Sequence, residues 1–448
     1  MAPQKSDEAR AAWLRLVERT LDGRPPSSLA ARIEPSIAVE PLAPAGALPP
    51  VWSRGGAAWT RLQRLDRADP AAAMRGIESG ADGIELVLAG APTAWNGGIA
   101  PDALAPLLGQ LPIDRLALRV SAGARIDVAG TIDGAVAAAR LDPQLMRVAF
   151  GLDPMGAGFE KDQRQGLVAM VERLAGRGYA GPFVSADGRP IHAAGGFAST
   201  ELAYAAAATV TLLRTLLDGG VAESVALAAI DVALTADADQ FVTMAKLRAM
   251  RLLHARILAA AGLPPAALNV DAETAWSMLA AEDEGSNVVR STIAALAAAL
   301  GGADSIAVLA HRAASAPGDS EAERLALTLQ AILAEEARLF TVDDPGAGSG
   351  TVESLTLALA EAAWSLLQEI ERQGGLPAAI RSGWLATRIA ADREEGRRRI
   401  ASGEAPIIGV TLHRADGAAL PDPAADDDAA DGPFAPRRSA APFERRSA

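Results

Sequence analysis

Histidines are the first residues to test for acid–base or metal chemistry, and this sequence has four: His192, His254, His311 and His413. No two of them have the i, i+4 spacing that holds zinc on one helix face. His254 lies in the helical stretch RLLHARIL, which predicts a packed or half-exposed side chain. His311 follows a strand-like run, but its neighbours in AHRAASAPG supply no carboxylate to orient the ring. Structural roles are therefore the leading interpretation of all four histidines.

One pair of carboxylates, Asp271 and Glu273 in the segment NVDAETAW, has a spacing that could serve catalysis. Residues two apart share one face of a strand. Two carboxylates that face one cleft can act as a general acid and a general base. Together with His311 they define one hypothesis, in which the chain is an enzyme that works by itself.

Two further motifs point away from catalysis. His192 lies in DGRPIHAAGG (187–196), whose glycines and proline predict a loop between two apolar segments. The glycine-rich DPGAGSGTVE (344–353) lacks the Gly-Lys-Ser/Thr of a phosphate loop and the spacing of a dinucleotide fingerprint. Its glycines are typical of a tight turn before a helix.

Composition excludes several classes of function. Lys+Arg 42 against Asp+Glu 55 gives a formal net charge of −13, the wrong sign for a protein that binds phosphate backbones. The lack of cysteine excludes disulfides, thiolate catalysis and cysteine-held metal. No apolar run is long enough to span a bilayer, and the acidic N-terminal stretch is unlike a signal peptide. We therefore expect a cytoplasmic protein with no nucleic-acid or membrane partner.

Strand-like and helix-like stretches alternate between residues 80 and 309. The helical stretch 237–262, for example, begins with aspartates and ends in glycine. Such alternation requires a parallel sheet, and seven or eight units favour a closed (β/α)8 TIM barrel of the α/β class. The predicted strands are 82–89, 115–122, 147–153, 182–188, 224–235, 267–273 and 304–310.

The flanking segments differ from the barrel in composition. Residues 1–51 comprise an amphipathic helix and a proline-rich apolar arm, which we predict to wrap a partner. Residues 52–375 are assigned to the barrel and residues 376–415 to a C-terminal helical extension. Residues 416–448 are rich in proline, aspartate and alanine, which predicts a disordered acidic tail.

Several segments taken together resemble the methylmalonyl-CoA mutase family of adenosylcobalamin-dependent isomerases. With RIEPSIAVEPL near the front, the resemblance extends over residues 32–410. It implies a (β/α)8 barrel that threads the coenzyme A arm through its centre, followed in catalytic chains by a separate cobalamin-binding domain. The segments that carry it come in the family's order and spacing: DADQFVTMAKLRAMRLL (237–253), ETAWSMLAAEDEGSNVVRSTIAALAAALGGADSI (273–306), LTLQAILAEEARL (327–339), DDPGAGSGTVESLTLALAEAAWSLLQEIE (343–371) and GGLPAAI (374–380).

The resemblance also implies that the family's functional positions are replaced in this chain. Where catalytic chains carry a tyrosine beside the substrate, this sequence has Arg64. Their Tyr-His pair matches Arg189 and Pro190, and their Arg and His before a tryptophan match Leu268 and Val270. Proline has no side-chain donor, and leucine cannot pair with a carboxylate. We therefore expect no catalytic residue at these five positions.

The cobalamin signature of the family, Asp-x-His-x-x-Gly, is expected to be absent as well. His192 supplies its His-x-x-Gly half, but Pro190 stands where the aspartate should be. We expect no cobalamin-binding domain, and no cofactor or metal bound by this chain. The combination is similar to the non-catalytic small (β) subunit of heterodimeric mutases, which implies a catalytic large (α) subunit as partner, with adenosylcobalamin bound there. Two alternatives stay open: a stand-alone TIM-barrel enzyme and a scaffolding protein derived from a mutase.

Overall fold

The computed structural model describes residues 3–155, 159–414 and 432–444, except for the side chains of residues 3–7. Its core is one sheet of eight parallel strands, and a separate antiparallel pair lies in the N-terminal arm. The strands are β1 (Ala31–Glu34), β2 (Ile37–Val39), β3 (Thr60–Leu65), β4 (Gly83–Val87), β5 (Ala117–Ser121), β6 (Arg147–Ala149), β7 (Val184–Asp187), β8 (Ile230–Ala236), β9 (Val270–Thr274) and β10 (Ser305–Ala307).

The sheet runs in the order β6-β5-β4-β3-β10-β9-β8-β7, and every ladder within it is parallel. Its two edge strands are joined by backbone hydrogen bonds instead of a full ladder. The amide of Ser185 donates to the carbonyl of Leu152 (2.9 Å), and the amide of Phe150 donates to the carbonyl of Pro182 (3.0 Å). These bonds nearly close the sheet, so the predicted (β/α)8 barrel of the α/β class is confirmed.

Helices connect the strands and cover the outside of the sheet. Helix α9 has clear local signals, because the Asp239 side chain accepts from the amide of Val242 (3.2 Å) at its start and Gly262 ends it at φ 70°. The helix predicted over 237–262 is confirmed. The helices are α1 (Pro3–Thr20), α2 (Pro70–Glu78), α3 (Pro101–Leu108), α4 (Asp127–Ala138), α5 (Lys161–Gly176), α6 (Arg189–Ala193), α7 (Ala198–Asp218), α8 (Glu223–Ala228), α9 (Gln240–Ala261), α10 (Glu284–Gly301), α11 (Ser320–Ala331), α12 (Gly350–Arg372), α13 (Leu376–Arg381) and α14 (Trp384–Ala401).

Two barrel strands differ from the sequence prediction. The stretch 224–235 begins as helix α8, and β8 starts only at Ile230, because the alanine-rich SVALAA favours a helix. Strand β3 is missing from the predicted set. Its sequence, TRLQRL, interrupts the apolar pattern with arginine and glutamine, whereas the interior of such a barrel is usually filled by branched apolar residues.

The apolar core lies between the sheet and the surrounding helices. Helix α7 contributes four consecutive alanines, 205–208, with no exposed surface, and side chains this small let helices pack closely. Among the described residues, no helix combines the length and the apolar character needed to cross a bilayer.

The N-terminal arm lies partly against the chain's own barrel. The amide of Leu48 donates to Glu353 Oε2 (3.0 Å), and the amide of Val51 donates to Asp344 Oδ2 (2.8 Å). Glu34 accepts from the amide of Ser199 (3.0 Å). With the bonds from Arg399 to the carbonyls of Arg32 and Ile33, these contacts attach the arm to the rest of the chain from residue 32 onward.

The C-terminal segment 432–444 corrects the expectation of a disordered tail. Phe443 is fully buried in a small cluster with Val410. The amide of Arg437 donates to the carbonyl of Ala193 (2.7 Å). The amide of Ser439 donates to the carbonyl of Ser277 (2.8 Å). One buried aromatic ring and two backbone hydrogen bonds anchor this segment to the barrel. The average composition of residues 416–448 does not indicate these local contacts. The rest of the predicted tail, 415–431 and 445–448, lies outside the described residues.

Candidate functional site

The centre of the barrel contains charged side chains, which we call the axial network. Successive residues of a strand point to opposite faces, so alternate positions of the barrel strands face the axis. Each of these side chains is at most 15% exposed, and each pairs with another member. The members are Arg64, Glu85, Arg119, Asp187, Arg189, Asp231, Asp271 and Glu273.

Arg189 holds the upper part of the axial network together. It is the first residue of α6, directly after β7, and its guanidinium extends into the barrel. Its Nη1 donates to Glu85 Oε1 (2.7 Å), and its Nη2 donates to Asp187 Oδ2 (2.7 Å) and to Ser121 Oγ (2.9 Å). A planar guanidinium with this many partners is fixed in position.

Glu273 connects Arg189 to Arg64. Arg64 Nη1 donates to Glu273 Oε2 at 2.6 Å, and Arg189 Nη1 lies 3.4 Å from the same oxygen. The other carboxylate oxygen accepts from Trp95 Nε1 (3.0 Å). The structure therefore brings together two of the positions that we expect to be replaced, Arg64 and Arg189, and joins them across the barrel through one carboxylate.

Arg119 organises the lower part of the axial network. Its Nη1 donates to Asp231 Oδ2 (2.7 Å) and to Asp271 Oδ2, and its Nη2 donates to Ser185 Oγ (3.2 Å). Asp271 also accepts from Ser305. Asp271 and Glu273 do share a face of β9, as predicted, but each is bound by an arginine of this chain and so they do not form a free acid–base pair.

The electrostatics of the axial network follow from burial and pairing. Burial alone would raise the pKa of Glu85, but the three arginines of the network hold it at about 2. Burial raises the pKa of Asp271, and the adjacent Asp231 adds to this effect, while Arg119 opposes it. The network is thus held together by ion pairs between residues of this chain.

The other three positions that we expect to be replaced lie away from this centre. Pro190 is buried in the first turn of α6. Leu268 precedes β9, and its carbonyl accepts from Arg251 Nη1 (2.6 Å). Val270 begins β9 on the face opposite to Asp271, so its side chain faces the helices.

The histidines fall into different surroundings. His254 is buried in α9, and burial together with Arg251 lowers its pKa to about 4. His311 follows β10, where its carbonyl accepts from Asn287 Nδ2 (2.9 Å). His413 has left-handed backbone, φ 54°. Within the part of the chain that the structure describes, no three His, Asp or Glu side chains are grouped to hold a metal ion.

His192 makes two contacts that the sequence does not indicate. Its Nδ1 lies 3.2 Å from Ser277 Oγ, and its Nε2 lies 3.3 Å from Asp237 Oδ2. Because both ring nitrogens are occupied by side chains of the barrel, His192 does not fit the role of an axial ligand to cobalt. The contacts of His192 with Ser277 and Asp237 could not be predicted from the sequence, because each of these two residues lies in a loop far from His192 along the chain.

These three residues line a cleft of about 600 Å³ at the C-terminal face of the barrel, which we call the C-terminal cleft. One wall is α14 and the other is the segment 436–443. Further side chains of the lining are mainly basic or aromatic: Phe197, Trp276, Arg393, Arg397, Arg399, Arg437, Arg438 and Phe443.

Four of the eight members of the axial network, Glu85, Arg119, Asp187 and Asp231, were not singled out from the sequence. Arg119 in β5 (ALRVS) and Glu85 in β4 (GIELV) are the single charged residues of otherwise mostly apolar strands. A lone charge at such a position has to find a buried partner, because an unpaired buried charge is very costly. That pattern was the available signal, but it does not identify the partners.

The comparisons with known proteins agree with the resemblance. Residues 181–431 match the family described as Methylmalonyl-CoA mutase. A methylmalonyl-CoA mutase small subunit of Streptomyces virginiae is 36% identical over 376 residues, 82% of this chain and 60% of that protein. A probable methylmalonyl-CoA mutase small subunit of Mycobacterium bovis is 37% identical over 326 residues, 70% of this chain and 52% of that protein. The chain thus spans about half the length of these relatives.

A large subunit is also similar to this chain. The methylmalonyl-CoA mutase large subunit of Streptomyces virginiae is 33% identical over 237 residues, which cover 52% of this chain and 32% of that protein. The chain is less similar to this large subunit than to the small subunit of the same organism, and the match to the large subunit covers less of the chain.

Proposed function

The chain belongs to the methylmalonyl-CoA mutase family, and from that premise we propose that it is the non-catalytic small subunit of a heterodimeric, adenosylcobalamin-dependent methylmalonyl-CoA mutase. The complex would isomerise methylmalonyl-CoA to succinyl-CoA in the cytoplasm, with the chemistry in the large subunit. One observation carries the proposal: Arg64 and Arg189 meet across the barrel at Glu273.

The physical reason concerns the space inside the barrel. A family member that threads coenzyme A through its centre needs an open axis there. In this chain the axis contains three arginines and their carboxylates, all buried. Removing one partner from such a buried pair typically costs about 3–5 kcal/mol, and a thioester arm would have to separate several pairs at once. The axial network therefore opposes substrate entry.

Adenosylcobalamin belongs to the large subunit in this proposal. When bound there, it supplies the radical chemistry of the isomerisation. The residues of this chain give no support to a second cobalamin site at His192, whose two ring nitrogens contact Ser277 and Asp237. The contribution of this chain is then to bind and stabilise its partner.

The N-terminal arm is the proposed contact with the large subunit. Its apolar side chains Leu16, Leu29 and Leu42 are 55%, 43% and 46% exposed. An obligate heterodimer commonly buries on the order of 2,000 Å² or more, and an exposed apolar arm supplies that kind of surface. The part before residue 31 is the best candidate, because the later part already contacts this chain's own barrel.

The first experiment separates a subunit from a stand-alone enzyme. The chain is purified alone and together with its large subunit, and adenosylcobalamin-dependent formation of succinyl-CoA is measured. We expect turnover only when the large subunit is present. Turnover by the isolated chain at a rate comparable to the complex would overturn the proposal.

A second experiment tests the arm. Deletion of residues 1–29 is expected to abolish co-purification with the large subunit, whereas Leu145→Asp, which changes another exposed apolar residue, should leave it intact. Unchanged co-purification of the deletion variant would exclude the arm as the main contact.

A further inference from the structure

Three neighbouring segments that follow strands at the C-terminal face of the barrel, helix α6 and two loops, bring a serine, a histidine and an aspartate together. His192 follows β7, Asp237 follows β8 and Ser277 follows β9. Ser277 Oγ lies 3.2 Å from His192 Nδ1, and His192 Nε2 lies 3.3 Å from Asp237 Oδ2. In (β/α)8 barrels the loops after the strands are the place where reactive groups from different strands converge.

The direction of proton transfer follows from the two contacts. An ionised carboxylate only accepts hydrogen bonds, so the neutral imidazole that faces Asp237 carries its proton on Nε2. The lone pair of Nδ1 is then directed at Ser277, whose hydroxyl donates to it. Asp237 remains ionised: its partial burial alone would raise the pKa, but the hydrogen bond from His192 lowers it to about 2.

The surroundings of Ser277 leave room for a ligand. Ser277 lines the C-terminal cleft of about 600 Å³, a volume that accommodates a small organic molecule. Trp276 provides apolar surface and Arg397 adds positive charge, whereas Arg438 is paired with Glu444 (2.7 Å). Arg397 forms no ion pair with any other residue of the described ranges. A guanidinium of this kind suits a carboxylate or phosphate group.

We propose that Ser277, His192 and Asp237 form a nucleophilic site that cleaves small acyl esters or thioesters bearing an anionic group. This activity goes beyond the proposed mutase subunit and does not depend on it. The roles follow the logic of a serine nucleophile, a histidine base and an orienting carboxylate, which is defined by geometry and not by position in the sequence. The ring nitrogens have exchanged roles here, with Nδ1 facing the serine.

The reaction balances with water as the only co-reactant. The Ser277 O–H proton passes to His192 Nδ1 while Oγ forms a bond to the acyl carbon. The bond from that carbon to the leaving oxygen or sulfur breaks, and the leaving group takes the proton from His192. Water, deprotonated in the same way, then hydrolyses the acyl-serine, which releases the acid and restores Ser277.

The test uses a fluorophosphonate, which reacts with activated serines by forming an O–P bond and releasing fluoride. The full chain, without the large subunit, is incubated with the probe, and the adduct is located by mass spectrometry. We expect one adduct, on Ser277, which is lost in Ser277→Ala. His192→Gln should slow labelling by about 100-fold or more, in line with the usual contribution of a general base.

Matched controls separate chemistry from folding. Ser365→Ala removes an exposed serine of α12, and His311→Gln removes a histidine at the same face of the barrel, so both should label like the parent chain. Circular dichroism checks that every variant is folded. Absence of an adduct on Ser277, or an unchanged labelling rate in folded His192→Gln, would overturn the proposal. Because the large subunit is absent from this assay, failure here says nothing against the mutase subunit.

Discussion

The axial network and the C-terminal cleft lie in the same barrel, yet their polar groups are used differently. In the axial network, every guanidinium faces a carboxylate of the chain, as Arg189 does with Glu85 and Asp187. In the C-terminal cleft, His192 and Ser277 contact each other beside an open space of about 600 Å³. Polar groups that satisfy one another inside a barrel stabilise and close it, whereas the same kinds of groups beside a cleft can act on a ligand.

In the proposed small subunit, this difference would explain how a barrel loses one site and keeps its fold. When a site residue is replaced by one that binds the neighbouring side chains, the buried polar groups stay paired. Truncation of the same side chain would leave them without a partner. Arg64 and Arg189 stand where the resemblance implies tyrosines, and both have found the same carboxylate, Glu273. The centre of the barrel is thereby filled by charge pairs instead of by apolar side chains.

The largest effect is expected from breaking the axial network. In Arg189→Met the aliphatic stem is retained, but Glu85 and Asp187 lose their main cation, which should lower the free energy of unfolding by about 3–5 kcal/mol. Urea denaturation measures this change. As a control, Glu321→Ala removes an exposed partner of Arg324 and should leave the midpoint unchanged. A loss no greater than in the control would mean that the network does not stabilise the barrel.

A smaller effect is expected at the wall of the C-terminal cleft. Phe443→Ala empties a buried site, and truncations of this kind cost up to about 3–5 kcal/mol in a main core. Because the segment can detach locally, we expect a smaller loss of global stability, about 1–2 kcal/mol, with much faster amide exchange at residues 432–444. Hydrogen exchange measures this, and Phe241→Ala, which truncates an exposed phenylalanine, is the control. Unchanged exchange would show that the segment is held by other contacts.

A third effect, which accumulates over several pH units, is a dependence of stability on pH at the edge of the axial network. Burial, with the nearby Asp187, raises the pKa of Asp153 from 3.8 to about 8. The folded chain therefore binds a proton that the unfolded chain releases between about pH 4 and pH 8. Stability from this group is fully present below pH 4 and is lost as the pH rises to 8, by at most about 1.4 kcal/mol per pH unit.

Asp153→Asn tests this pH dependence, because an amide is neutral at every pH. The midpoint of urea unfolding should fall less steeply between pH 5 and pH 8.5 in this variant than in the parent chain. Asp162→Asn, which changes an exposed aspartate, should follow the parent curve. If Asp153→Asn also follows the parent curve, then Asp153 is ionised in the folded chain.

Some features of the fold were accessible from sequence because they depend on neighbours along the chain. Helix α9 has its aspartate cap and its terminal glycine within the same stretch, so its limits were predicted well. Strand β3 was missed because an arginine such as Arg64 is unusual inside a barrel. Its presence there is explained only by its partner Glu273. That partner lies in β9, more than half of the barrel away along the sequence.

The candidate sites depend even more on contacts that no local pattern contains. Asp271 and Glu273 were correctly placed on one face, since alternation along a strand is local, but their arginine partners were not foreseen. The prediction of a loop around His192 was wrong, since the residue lies in the short helix α6, and the loops that bring Ser277 and Asp237 to it are set by the closure of the barrel. Tertiary pairing of this kind is what a single sequence leaves undetermined.

The central claim is that the axial network closes this barrel to the coenzyme A arm. Isothermal titration of the isolated chain with methylmalonyl-CoA tests it most directly. We expect no saturable binding with a Kd below about 1 mM, a threshold that corresponds to about 4 kcal/mol of binding free energy. Stoichiometric binding in the micromolar range, with hydrogen-exchange protection of β3, β4 and β9, would contradict the claim.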